Sequence, residues 1–160
     1  NALAGMEFCL GIPGSVGGAI NMNASAFEKS ISDVVLRSEA FDITSGKRFT
    51  ISREEHLFQR KSSVFSKNSS LVLLKTEFLL EKHEKSSVHE KMRQIALRRI
   101  SSQPLEKGSC GSAFKRPING YASKLIDEAK LKGLRVGNVA ISQKHAGFIV
   151  NCRVLGSSIS

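Results

Sequence analysis

Residues 5–27 read GMEFCLGIPGSVGGAINMNASAF, and the rest of the chain is best understood outward from them. The stretch carries a single charge, Glu7, and is dominated by glycine and other small residues. A segment so poor in charge is not expected to be a surface loop. It reads as buried backbone that passes close to something. Within it, Gly11-Ile12-Pro13-Gly14-Ser15-Val16-Gly17-Gly18 allows positive φ and lets backbone N–H groups approach a ligand closely. No Lys-Ser/Thr pair follows, so this is not a P-loop, and the spacing is not that of a dinucleotide fingerprint. On the residues alone, a structural turn and a phosphate cradle both stand open.

Strand signals follow directly. Val34–Leu36 and Glu39–Ile43 look extended, Thr44–Lys47 supplies a turn, and Arg48–Ile51 returns as the second arm of a β-hairpin. Leu71–Leu80 (LVLLKTEFLL) is a long apolar run suited to a covered sheet. The polar Glu81–Ser87 marks a lobe boundary. Beyond it, Val88, Met92, Ile95, Ala96 and Ile100 recur at helical spacing, with Arg98 and Arg99 in the last turn where they suit the helix dipole. Ser101–Lys107, with Pro104, ends that helix. A second helix is predicted over Tyr121–Lys132, with Ala122, Leu125, Ile126 and Ala129 as its apolar stripe and Gly133 as its stop. Val136–Ile141 and Gly147–Asn151 read as strands around a polar Ser142–His145 turn. There are no internal repeats.

With 160 residues and 41% hydrophobic content, the chain suffices for one compact domain or two small lobes. No stretch approaches the roughly 20 apolar residues that span a bilayer, so no membrane partner is expected. The apolar start has no basic leader region and is not read as a signal peptide. Cys9, Cys110 and Cys152 are odd in number and widely spaced, which predicts neither a metal site nor a disulfide framework and fits a reducing, cytoplasmic setting. A net charge of +10 invites phosphate-bearing partners. The cations are scattered, Trp is absent and there is one Tyr, so base stacking would fall to Phe and nucleic acid is not expected.

The second motif is Glu106–Pro117, EKGSCGSAFKRP. Two small-residue turns run straight into Lys115-Arg116, a pair suited to an anion, although an exposed basic pair is the plainer reading. A nucleophilic Cys110 would need a paired histidine, and spacing alone pairs none of His56, His83, His89 and His145 with it. The favoured reading of Cys110 is a small buried residue. No Gly-x-Ser-x-Gly elbow is present, which excludes the α/β-hydrolases.

Taken together, GIPGSVGGAINMNASAF, the SSQP…GSCGSAFKRP block, YASKLIDEAKLKG and SQKHAGFIVN occur in one order and spacing that resembles the UDP-N-acetylenolpyruvoylglucosamine reductase (MurB) family. The resemblance runs over roughly residues 3–152. The short interval between 58–65 and 108–117 is similar to the compact second type of that family. What this implies is an α+β fold. Residues 1–82 would be the second part of a two-lobed flavin-binding domain (PCMH-like), and 83–160 most of a smaller substrate-binding domain. The implied reaction is NADPH-driven, FAD-dependent reduction of an enolpyruvyl ether on a UDP-sugar, in cytoplasmic peptidoglycan precursor synthesis for cell shape and division.

The resemblance also implies site residues. Ser112, the serine after the second Gly of the GSxGS pattern, would be the proton donor, rather than Ser109 or Cys110. Ile12, Pro13, Gly14, Ser15, Gly17 and Gly18 would line the flavin. Lys115 and Arg116 would contact substrate phosphate or carboxylate. The family's Tyr-Arg-x-Ser segment falls on Arg60-Lys61-Ser62-Ser63. The catalytic arginine position therefore carries Lys61, which lacks the bidentate fork of arginine: either Lys61 serves as a point charge, with Arg60 beside it as a substrate contact, or Arg60 reaches into the arginine's place by a local shift. A flavin-binding segment is expected before residue 1 and a segment with a catalytic Glu after residue 160, so the 160 residues alone are expected to lack activity. The alternative reading is a non-catalytic nucleotide- or nucleic-acid-binding module. No metal is implied.

Overall fold

The computed structural model describes residues 1–153. They form two compact units, 1–95 and from 96 onward, with the division falling inside a long helix. Helices and small antiparallel sheets alternate along the chain, which bears out the α+β expectation.

The first unit opens with strand β1 (Leu3–Ala4), a 3₁₀ turn at Glu7–Cys9, helix α1 (Val16–Asn21) and a small hairpin of β2 (Ser25–Ala26) and β3 (Lys29–Ser30). The two residues between those strands, Phe27 and Glu28, both hold left-handed backbone, at φ +51° and +65°. Another 3₁₀ turn at Ile31–Asp33 leads into β4 (Val35–Asp42), which pairs with β5 (Lys47–Ser52). Asp42 explains the sharpness of that turn. Its carboxylate accepts from the Thr44 N–H at 2.9 Å and the Ser45 hydroxyl at 2.8 Å, while Gly46 supplies φ +68°. After a short helix α2 (Val64–Lys67), β6 (Leu71–Phe78) pairs with the other side of β4, giving the order β5-β4-β6. Strand β7 (Glu81–Lys82) returns to β1.

The core of this unit gathers Phe8, Ile20, Ala24, Ile31, Val34, Val35, Ala40, Ile51 and Phe65. Each fully buried side chain of this size, such as Ile20, contributes about 1.5–3 kcal/mol. The charge-poor 5–27 stretch is only partly buried. Phe8, Ile20 and Ala24 are in the core, but most of Gly11–Gly18 is exposed. Nor is β6 covered on both faces: Leu71 and Leu73 pack on the core while Val72 and Leu74 alternate outward, as the two-residue period of an edge strand dictates. Glu7 is buried yet paired. It accepts the Gly5 N–H at 2.8 Å and lies 3.5 Å from Lys91 Nζ. Burial opposes its charge, but these hydrogen bonds and the Lys91 ammonium hold its pKa below the usual range.

Helix α3 (Lys85–Ser102) starts three residues before Val88 and crosses the division between units. Its last turn reverses the predicted stripe, with Ile100 exposed and Arg99 buried, the guanidinium donating to Gln103 Oε1 at 3.3 Å. In the second unit, α4 (Ala122–Glu128) is shorter than the predicted Tyr121–Lys132 because Lys130 adopts φ +57° and breaks the repeat. Gly133 serves a different need from the predicted stop: a Cβ there would fall 2.0 Å from Gln143 Nε2. Val136–Ile141 is a hairpin and not one strand, with β8 (Arg135–Val136) turning at Gly137 (φ +56°) into β9 (Val139–Ile141). Strand β10 (Ile149–Asn151) completes the order β10-β9-β8. No helix of the described residues is long and apolar enough to cross a membrane.

Candidate active site

In the first unit, α1 begins at an N-cap, Ser15, whose hydroxyl oxygen accepts the Gly18 N–H at 3.1 Å. The backbone before it is open. Gly14 sits at φ +132° with nothing within 4 Å of where a Cβ would be, and the nearest atom to such a Cβ on Gly17 is the Ser15 hydroxyl at 4.0 Å. An exposed helix start with bare glycine backbone leaves first-turn N–H groups for an outside acceptor.

Beyond α1, the structure brings the Lys61 turn onto the same stretch of chain. Gln59 and Ser62 exchange backbone hydrogen bonds at 3.0 and 3.2 Å, closing a tight turn over Arg60 and Lys61. Lys61 takes φ +56°, a conformation that costs a side-chain-bearing residue energy. The Asn23 amide donates to the Gln59 carbonyl at 3.2 Å, the buried Ser63 hydroxyl donates to the Asn21 carbonyl at 2.9 Å, and Lys61 Nζ donates to Ser25 Oγ at 3.5 Å. Arg60 is exposed, whereas Lys61 is half-buried. Burial, and then the neighbouring Arg60 cation, lower the Lys61 pKa from its ordinary value.

His56 stands behind this turn and is fully buried. Its Nδ1 lies 2.6 Å from the Ser52 carbonyl oxygen, which only accepts, so Nδ1 carries the proton. Nε2, 2.8 Å from Ser38 Oγ, is then an acceptor, and Ser38 in turn accepts from Thr76 Oγ1 at 2.8 Å. Burial pushes the His56 pKa down, outweighing the Ser52 bond and the Glu55 charge.

The second unit holds Ser112. Its segment lies against β10 and the turn before it: the Ala113 N–H donates to the Gly147 carbonyl at 2.9 Å, and Ser112 bridges to Phe148. The Asn151 N–H donates to the Gly108 carbonyl at 2.8 Å at the other end. The three candidates in the Ser/Cys turn now differ. The Ser109 hydroxyl donates to the Ile149 carbonyl at 2.8 Å and is thereby committed. Cys110 is exposed and not the small buried residue expected, next to Gly111 at φ +87°. Ser112 is exposed, and no side-chain hydrogen bond engages its hydroxyl among the described residues. Arg116 is ordered: Nε donates to the Gly120 carbonyl at 2.9 Å and the guanidinium stacks 3.6 Å over the Tyr121 ring. Lys115 is exposed beside it. His145 packs edge-on against Phe148 and accepts the Gly147 N–H through Nδ1 at 3.1 Å. Burial, with the Lys132 charge adding to it, lowers its pKa.

Sequence reasoning missed Asn23 and Ser25 in the first unit, and it named Ser63, His56 and Tyr121 without finding the contacts they make here. A tyrosine five residues after Arg116 was the one signal local enough to find. No group of three or more His, Cys, Asp or Glu suited to a metal occurs among the described residues.

Residues 103–157 match the family model of the UDP-N-acetylenolpyruvoylglucosamine reductase C-terminal domain. UDP-N-acetylenolpyruvoylglucosamine reductase from Pseudothermotoga lettingae is 45% identical over 152 residues, which is 94% of this chain and 52% of that protein. UDP-N-acetylenolpyruvoylglucosamine reductase 2 from Bacillus cereus is 47% identical over 150 residues, 93% of this chain and 48% of its own length. The crystal structure of the MurB reductase from Thermus caldophilus superposes with a TM-score of 0.85 at 35% identity, covering 96% of this chain and 55% of that one. The resemblance read from the motifs is thus borne out along almost the whole chain. The chain spans about half the length of the curated relatives it matches.

Proposed function

We propose that this chain is part of an enzyme that carries out the MurB reaction: NADPH-driven, FAD-dependent reduction of UDP-N-acetylglucosamine enolpyruvate to UDP-N-acetylmuramate for peptidoglycan synthesis. In this reading residues 1–82 are the second part of the flavin-binding domain and 83–160 belong to the substrate-binding domain. The open glycine backbone at Gly14 and Gly17 fits the close approach of a flavin, since no side chain occupies the space a Cβ would take. FAD, when bound and reduced by NADPH, supplies the hydride for the vinyl carbon of the enolpyruvyl group.

The chain's own residues supply the proton and several of the substrate contacts. Ser112 delivers the proton to the carbon adjacent to the one that receives hydride. A neutral serine is a poor acid, so its contribution depends on position and on a strongly basic acceptor. Lys61 holds the substrate carboxylate as a point charge, and its partial burial strengthens that attraction. Arg60, although exposed, adds a second cation on the same turn. Arg116, braced on Tyr121, and Lys115 contact the phosphates or carboxylate through charge-assisted bonds. One observation carries the assignment of the acid: within GSCGS, Ser109 is committed to a backbone carbonyl while Ser112 keeps an exposed hydroxyl.

The test is made on the protein expressed from its complete reading frame. It should purify yellow, with flavin absorbance, and consume NADPH only when the enolpyruvyl nucleotide is added. A colourless protein, or NADPH consumption indifferent to that substrate, would sink the reading.

A further inference from the structure

We propose that His56, which no part of the reaction scheme uses, is the positioning residue that sets Lys61; the inference rests on the reading of Lys61 as a substrate-binding cation. The argument begins with where His56 is tied. Its backbone carbonyl accepts the Val64 N–H at 2.8 Å, so residues 56 and 64 close the base of the loop that displays Arg60 and Lys61. Its ring stacks on Phe58, inside that loop, at 4.8 Å between centroids and 13° between planes, and meets Phe65 edge-on at 5.9 Å. The ring therefore touches the chain on both sides of the turn.

The ring itself cannot rotate without loss. Nδ1 donates to the Ser52 carbonyl and Nε2 accepts from Ser38 Oγ, so a flip would put ring carbons at both contacts and forfeit both bonds. Thr76, on β6, fixes the Ser38 hydroxyl from the far side. A rigid three-stranded sheet thus dictates the plane of one imidazole, and that plane dictates where Phe58 lies. Lys61 needs such support because its own turn is strained at φ +56° and its ammonium has one long contact, 3.5 Å to Ser25 Oγ. A displacement of about 1 Å in a positioning element can cost on the order of 100-fold in rate.

The experiment uses the complete flavoenzyme and a double-mutant cycle. Ser38→Ala removes the partner of Nε2 and leaves the ring; His56→Phe keeps the ring stack and removes both ring hydrogen bonds. Steady-state kcat for the enolpyruvyl nucleotide is measured for each, for Lys61→Ala, and for each combined with Lys61→Ala. Ser38→Ala is expected to lower kcat about tenfold, with His56→Phe at least as damaging, and neither should lower it further once Lys61 is alanine. A loss of the same factor in both backgrounds would reveal a general structural role and overturn the proposal, as would full activity of Ser38→Ala. If His56→Phe fails to fold, Ser38→Ala decides alone. Full activity of Lys61→Ala would overturn the underlying reading along with the proposal, and so separates the two failures.

Discussion

Lys61 and Ser112 both sit on short turns, yet the two are fastened in different ways. The Lys61 turn is stitched by side chains: Asn23, after α1, donates to its Gln59 carbonyl, Ser63 at its end donates back to the Asn21 carbonyl, and the sheet-tied His56 ring stacks on Phe58. The Ser112 turn is held chiefly by backbone, through the Ala113–Gly147 and Asn151–Gly108 hydrogen bonds at its two ends, with the Ser109 hydroxyl as a side-chain tie. Side-chain fastening makes position depend on residue identity. Backbone fastening makes position nearly indifferent to it, so the side chain at 112 is at liberty to serve chemistry alone.

The largest effect should come from testing that liberty. In the complete enzyme, Ser112→Ala should slow enolpyruvyl reduction by about 10²–10⁴-fold, leave flavin reduction by NADPH nearly intact, and leave the melting temperature unchanged. Equal losses in both half-reactions by stopped flow would contradict the assignment.

The contrast in packing comes next. Ile20, fully buried in the first unit's core, should cost about 2–5 kcal/mol when cut to alanine. Val136, 78% exposed on β8, should change stability by no more than about 0.5 kcal/mol. Urea unfolding of both variants checks the pair, and similar losses would break the contrast.

A finer probe compares two serines that each donate to a backbone carbonyl. Ser63→Ala should cost about 1–3 kcal/mol, because it leaves the Asn21 carbonyl unsatisfied in a buried setting. Ser109→Ala should cost less, since its surroundings admit water. The reverse ranking would mean that the Ser112 turn also relies on side chains.

The smallest effect is on pH. Burial holds both His56 and His145 below the ordinary histidine value of 6.5 in the folded chain. The unfolded chain therefore takes up protons first as the pH falls. Stability should be flat above about 6.5 and decline below it towards the folded values. His56→Phe should flatten part of that decline in denaturation midpoints measured from pH 8 to 5, and an unchanged slope would remove His56 from the account.

Local chemistry was legible in the sequence, and distant pairing was not. The β4–β5 hairpin was readable because Asp42 and Gly46 encode its turn within a few residues. Gly137 offered the same kind of signal for β8–β9, but the flanking Val and Ile outweighed it and the hairpin was read as one strand. The end of α4 was misplaced because its cause, left-handed Lys130, has no sequence signature. Ser112, Lys115 and Arg116 came from contiguous motifs. The partners of Lys61, Ser63 and His56 lie 36, 42 and 18 residues away, and no periodicity links residues across such distances.

The β2–β3 hairpin leads in another direction. Glu28 is exposed and held at φ +65°, where a β-carbon costs roughly 1–2 kcal/mol and glycine pays little. In a library covering every residue at each position, selected for heat resistance, glycine or asparagine should therefore be enriched over the resident glutamate at 28. Most other exposed positions would drift without preference. The site would act as a built-in calibration mark: a variant that raises thermal tolerance without touching the core, the Lys61 turn or the Ser112 turn, and against which losses elsewhere in the same library can be scaled.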